Sequence, residues 1–240
     1  MKEFVLGFKS PFIGIRLILA NKDLKRIAIV PLIIDFILFF SVLYVSLFVL
    51  MPTLLATFVT GAVGFWSGIA YYGSYALASV VLFIFSGFVT FALAMIISGP
   101  FNALLAEKTL MHLRGTLPGA ETLADWLRKS FKMFGVALLR SLIVLSVTTV
   151  MFFVGIVPGL GVLAVFVSLF LFATDCADYS LEVFGLSLKE RLRAYKAHWL
   201  GFSGFGAALG LTFLIPGLSF LIMPAAVVGG AHFVKEILNK

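Results

Sequence analysis

At 240 residues, 62% hydrophobic and 12% charged, the chain carries about half the charge of a soluble domain, and that composition belongs to a membrane protein. Its net charge of +7 does not indicate nucleic acid, because the basic residues bracket apolar blocks as juxtamembrane charges do. One cysteine, Cys176, excludes an internal disulfide; the histidines lack ligand spacing, so no metal is implied, and without a G-x-x-x-x-G-K-[ST] stretch no ATP site is implied either.

From the N-terminus, Met1-Lys2-Glu3 opens an amphipathic segment rather than a signal peptide. Phe4, Phe8, Phe12, Ile15 and Leu19 repeat at helical spacing, and Lys2, Lys9 and Arg16 recur every seventh residue. That pattern predicts a helix lying in the membrane plane, with its basic residues toward lipid phosphates. No charged residue occurs from Phe36 to Ala106, and this block predicts two long transmembrane helices, about Ile29–Thr60 and about Ile69–Ala106. Gly61, Gly64 and Gly68 around Trp66 mark their turn, and Tyr71, Tyr72 and Tyr75 suit an aromatic belt. Asp35 reads as a boundary residue.

The 18 Lys and Arg fall into four clusters: Lys2 to Arg26, Lys108 to Arg140, Lys189 to Lys196, and Lys235 with Lys240. If every cluster is cytoplasmic, each apolar block leaves and returns, and both termini lie in the cytoplasm.

Ser141 to Thr174 is free of charge yet broken by Pro158-Gly159. Each arm of such a turn reaches only ~25 Å, against a hydrocarbon core of ~30 Å. The same device recurs at Ile215-Pro216-Gly217-Leu218. Both are read as re-entrant helical hairpins with tips inside the membrane; ordinary short helix pairs with a tight far-side turn are the alternative. Between them, Ser187 and Glu190 form a capping box opening a second interfacial helix. The expected whole is a single all-α membrane domain over 1–240. It comprises an amphipathic helix and basic turn (1–26), two long helices (27–114), a first hairpin (121–182), an interfacial helix (187–198) and a second hairpin (199–238).

Several stretches carry a family resemblance. Pro31-Leu32-Ile33-Ile34-Asp35-Phe36-Ile37-Leu38-Phe39, Pro100-Phe101-Asn102-Ala103-Leu104-Leu105-Ala106-Glu107, Asp178-Tyr179-Ser180 with Phe184-Gly185-Leu186-Ser187, and Leu200 to Ala231 resemble the CysZ sulfate-uptake family, related to the eukaryotic etoposide-induced membrane proteins. The resemblance runs from about Phe4 to Lys235. It implies a bacterial inner-membrane homo-oligomer that brings in sulfate for cysteine synthesis, with two long helices and two hemi-penetrating hairpins. That family often carries a Gly-Leu-Arg anion turn after its first helix. Here Asp23-Leu24-Lys25-Arg26 stand in its place, Leu110 replaces a common acid, and Ser180 replaces a proline. Asp23 adds negative charge, and Lys25 lacks the guanidinium fork.

Sulfate needs oriented N–H donors and positive charge in place of its water, and helix N-termini supply both. Leu24, Lys25 and Arg26 are therefore the candidate anion site, just before a long helix expected to start near Ile27 to Ile29. Snorkelling juxtamembrane cations are the structural alternative. Asn102 and Glu107 are the candidate cytoplasmic mouth, with Glu107 expected to pair with one of Arg114, Arg128 or Arg140. The tips Gly159-Leu160-Gly161 and Gly217-Leu218-Ser219 would begin half-helices whose N–H groups put positive potential in the membrane, or would simply allow close packing. ATP-independent sulfate uptake is the first functional reading and a non-transport membrane scaffold the second. No nucleophile, base and orienting group assemble into an enzyme motif.

Overall fold

The computed structural model describes residues 1–58, 65–115, 142–213 and 218–238. These residues are helical throughout, without a strand: α1 (Lys2–Ala20), α2 (Lys22–Val45), a π-helical turn (Ser46–Leu50), α3 (Met51–Phe58), α4 (Phe65–Ile97), α5 (Gly99–Arg114), α6 (Leu142–Ile156), α7 (Gly161–Val183), α8 (Leu188–Ala197), α9 (Trp199–Phe213) and α10 (Leu218–Leu238). Three stretches are long and apolar enough to cross a membrane: Lys22–Leu54, Tyr71–Ala94 and Gly161–Val183.

The chain divides into two compact units, Met1–Leu32 with Ser98–Lys240, and Ile33–Ile97. The second holds the long helical hairpin. Its first arm changes register at the π turn, where the Met51 N–H donates to the Ser46 carbonyl. Pro52 follows, and it has no N–H to give; the wide turn accommodates that loss. Within the unit, the buried Ser86 and Ser46 hydroxyls lie 2.7 Å apart, and Ser86 Oγ is 2.6 Å from the Leu82 carbonyl. One proton serves one acceptor, so Ser86 donates to Leu82 and accepts from Ser46. The Phe39 and Phe83 rings meet edge-on at 6.4 Å.

The other unit is built around α1, which packs on α9 and α10. Its buried residues are Gly7, Ser10, Pro11 and Gly14, so the face that docks is the small one, and Phe4 and Phe12 stay exposed. A methyl group on Gly7 would overlap the Gly201 carbonyl, and one on Gly14 the Ala225 carbonyl. Reciprocally, Gly204 and Gly229 meet the backbone of Phe4 and Ser10. Backbones approach this closely only where side chains are absent. Behind this seam, Phe202 stacks edge-on against Phe233 at 5.1 Å and Tyr195 at 5.2 Å, and Ala173, Cys176, Ala177 and Leu181 of α7 complete the core.

Three boundaries differ from the expectation. The second long helix does not run through to Ala106. It stops at Ile97, and α5 begins with Pro100 in its first turn, where a missing N–H costs nothing. Nor does the arm after Gly159 stop at Thr174: α7 has 23 residues, ~34 Å. Its continuation carries Asp175 and Asp178, both buried. Asp178 is held by Arg191 Nη1 at 2.8 Å and by the Tyr195 hydroxyl, and Arg191 also reaches Glu182 at 3.4 Å and donates Nε–H to the Leu186 carbonyl at 2.8 Å. Buried charge tolerated through a partner leaves the helix no reason to end at the first acid. Asp35, read as a boundary residue, is buried. The third boundary, the start of α2, lies at the candidate site. α8 opens at the capping box as read, with the Glu190 carboxylate accepting the Ser187 N–H at 2.8 Å and hydroxyl at 2.6 Å.

Candidate anion site

α2 starts at Lys22, more than a turn before the expected Ile27 to Ile29. The cause is Asn21, whose extended backbone ends α1. Its Oδ1 accepts the N–H groups of Asp23 at 2.9 Å and Leu24 at 3.3 Å, and its carbonyl accepts that of Lys25 at 3.0 Å. Asn is among the strongest N-caps, so this signal was available in the sequence. Capping alters the candidate site, because the N–H groups of Leu24 and Lys25 are engaged within the chain. The Leu24 side chain is 1% exposed, packed with Ala28, Leu105, Ala106, Tyr179, Val227 and Val228. What faces outward is cationic: Lys22, Lys25 and Arg26, with Asp23 among them. Asp23 sits in the first helical turn, where the macrodipole favours a carboxylate, and there it opposes an incoming anion.

A further residue, His112 of α5, approaches this cap; its Nδ1 lies 3.2 Å from Asn21 Nδ2. Nothing in the spacing of the histidines pointed to this pairing, since it spans the chain from residue 21 to residue 112.

Asn102 is 1% exposed, and its Oδ1 has no hydrogen-bond partner among the described residues. It shares the buried face of α5 with Leu105, Ala106, Thr109 and Leu110. Glu107 is half-buried on another face, and no described cation lies within ion-pair distance of it. Of its expected partners, Arg128 and Arg140 lie outside the described residues. Arg114 holds its guanidinium 4.3 Å from the Phe184 ring centroid, an orientation the ring quadrupole favours.

At the first tip, Gly159 has φ +89°, which side-chain-bearing residues rarely adopt. Leu160 donates its N–H to the Val157 carbonyl at 3.1 Å, and α7 begins at Gly161 without a side-chain cap. Gly161 also approaches the Gly155 carbonyl of α6 at the distance of an ordinary Cβ contact, so close packing is served as well. Gly217 lies outside the described residues; Leu218 and Ser219 open α10. The structure brings the head of α2 and α5 together with α7 at Tyr179. Gly161 is eighteen residues back along α7, ~27 Å away, so the first tip and the α2 site do not form one constellation.

Residues 10–224 match the family described as Sulfate transporter CysZ/Etoposide-induced protein 2.4. Proteins named Sulfate transporter CysZ from Vibrio cholerae serotype O1, including strain M66-2 and the El Tor Inaba strain, are 29% identical to the chain over 236 residues, covering 96% of this chain and 93% of theirs. The chain belongs to the sulfate transporter CysZ/etoposide-induced protein family.

Proposed function

We propose that the protein carries sulfate across a bacterial inner membrane, without ATP, to supply cysteine synthesis. The observation that carries this reading is likeness along nearly the whole chain to proteins named sulfate transporters. In this reading Lys25 and Arg26, with Lys22 beside them, gather the dianion at the head of α2 by charge rather than by free backbone donors. Asn102 and Glu107 shape the mouth, and the N–H groups at Gly159-Leu160-Gly161 and Gly217-Leu218-Ser219 lend positive potential deeper in the membrane. The protein works as a homo-oligomer with both termini in the cytoplasm, its hairpins penetrating partway, and performs no catalysis.

A membrane scaffold is the second reading, favoured by Asp23 and by the engaged N–H groups at the α2 cap. Labelled sulfate influx into liposomes holding the pure protein separates the two. Saturable influx, suppressed by excess unlabelled sulfate and lost in K25A/R26A, is expected of a transporter. Influx equal to that of empty vesicles, with folded protein present, is the scaffold result.

A further inference from the structure

α1 exposes two distinct stripes beside its docked face. At about 100° per residue, Phe4, Phe12 and Leu19 fall in one outward sector, all exposed, with the Phe8 ring stacked on Phe4 at 6.4 Å and tilted against Phe12 at 6.0 Å. Lys2, Lys9 and Arg16 fall in the adjoining sector within about 40° of one another, all exposed, along ~21 Å of helix. Going round the helix, the order is protein-facing, apolar, basic. The one acid of α1, Glu3, is turned to His198, with Oε1 3.3 Å from Nδ1. Among the described residues, no carboxylate lies within ion-pair distance of the three cations.

α8 repeats this order. Arg191 is buried against α7, Leu188 and Leu192 are exposed next in rotation, and Lys189, Arg193 and Lys196 follow, also exposed. A solvated helix needs only two faces. Two helices with the same three-part rotation have an apolar edge and a cationic row at adjoining depths, as a bilayer surface has acyl chains beneath phosphates.

We propose that the exposed side of α1, seconded by α8, is a docking surface for anionic phospholipid, with the aromatic stripe among the acyl chains and Lys2, Lys9 and Arg16 on headgroup phosphates. This goes beyond the sulfate reading and stands without it. The charge match names the occupant: three unopposed cations in a row beside an apolar stripe select an acidic lipid over a zwitterionic one.

The test uses the full-length protein with Trp66 and Trp126 replaced by Phe, leaving Trp199, next to His198, as energy donor. It is placed in phosphatidylcholine nanodiscs with trace pyrene-labelled phosphatidylglycerol or pyrene-labelled phosphatidylcholine. Stronger transfer to the acidic probe is expected, with the preference falling about fivefold per cation removed through K2Q, K9Q and R16Q. It should survive K2R/K9R and collapse between about 20 mM and about 0.5 M NaCl. Equal transfer to both probes, a preference indifferent to salt, or one unchanged in the triple variant overturns the proposal. So does loss of the preference to millimolar glycerol phosphate, which would mean a soluble-anion site. The salt series needs no variant and decides the matter even if the triple variant misfolds.

Discussion

In the most apolar stretch of Lys22–Leu54 11% of residues are buried, and in that of Tyr71–Ala94 18%, whereas every residue from Pro224 to Ala231 of α10 is buried. Both regions are apolar, so hydropathy alone does not tell an outward-facing helix from a packed one. Side-chain size does. The long hairpin turns Phe36, Ile37, Phe40 and Phe83 outward, while α1, α9 and α10 meet through glycine and alanine at backbone distance. Against lipid a large side chain displaces nothing that protein would have offered, but between helices it displaces the partner.

The largest effect should come from filling the seam. Gly14→Leu drives a side chain into the Ala225 carbonyl and is expected to cost on the order of 4 kcal/mol or more. Gly87→Leu, in the long hairpin with nothing within 4 Å of its Cβ position, should stay within about 0.5 kcal/mol of wild type. Thermal melts of the two variants in one detergent break the comparison if they coincide. Buried polar groups sharpen it at the next scale. Arg191→Ala strands Asp178 in the core and should cost about 3–5 kcal/mol, whereas Ser86→Ala in the hairpin should cost about 0.6 kcal/mol, the usual size of a hydrogen bond between membrane helices. The smallest effect is at the surface. Hydrogen bonds from the Ser187 side chain and backbone hold the Glu190 carboxyl below its ordinary 4.5. A depressed carboxylate stabilises above its unfolded value and loses that contribution as pH falls through its folded one. Melts of wild type and E190Q should therefore differ above about pH 4.5 and converge in stronger acid; a gap that widens in acid would refute the cap.

Much of this fold was legible. The uncharged blocks, the Pro158-Gly159 turn and the Ser187–Glu190 box are local signals, and local signals survive folding. The docking face of α1 went unread because Gly7 and Gly14 carry no hydrophobicity to detect, and because Phe4 and Phe12 form the more conspicuous stripe. The start of α2 was placed late because Ile27 looked like the first apolar turn, although Asn21 already marked the cap. The arm after Gly159 was counted only to Thr174 because Asp175 and Asp178 look like surface residues until Arg191 and Tyr195 are seen beside Asp178. At the candidate site, the outward cations Lys25 and Arg26 were readable, but the Asn21–His112 approach links positions far apart in sequence.

The seam between α1 and the α9–α10 pair also sets a schedule. During synthesis α1 leaves the ribosome well before α9 and α10, the helices that receive Gly7 and Gly14. Between those moments everything from α2 to α8 must be made while the small-residue face of α1 has nothing to rest on. Completion of α9 and α10, rather than the passage of the long hairpin, is therefore the event after which this seam can close, and a nascent chain halted before Trp199 holds an α1 with no place to dock.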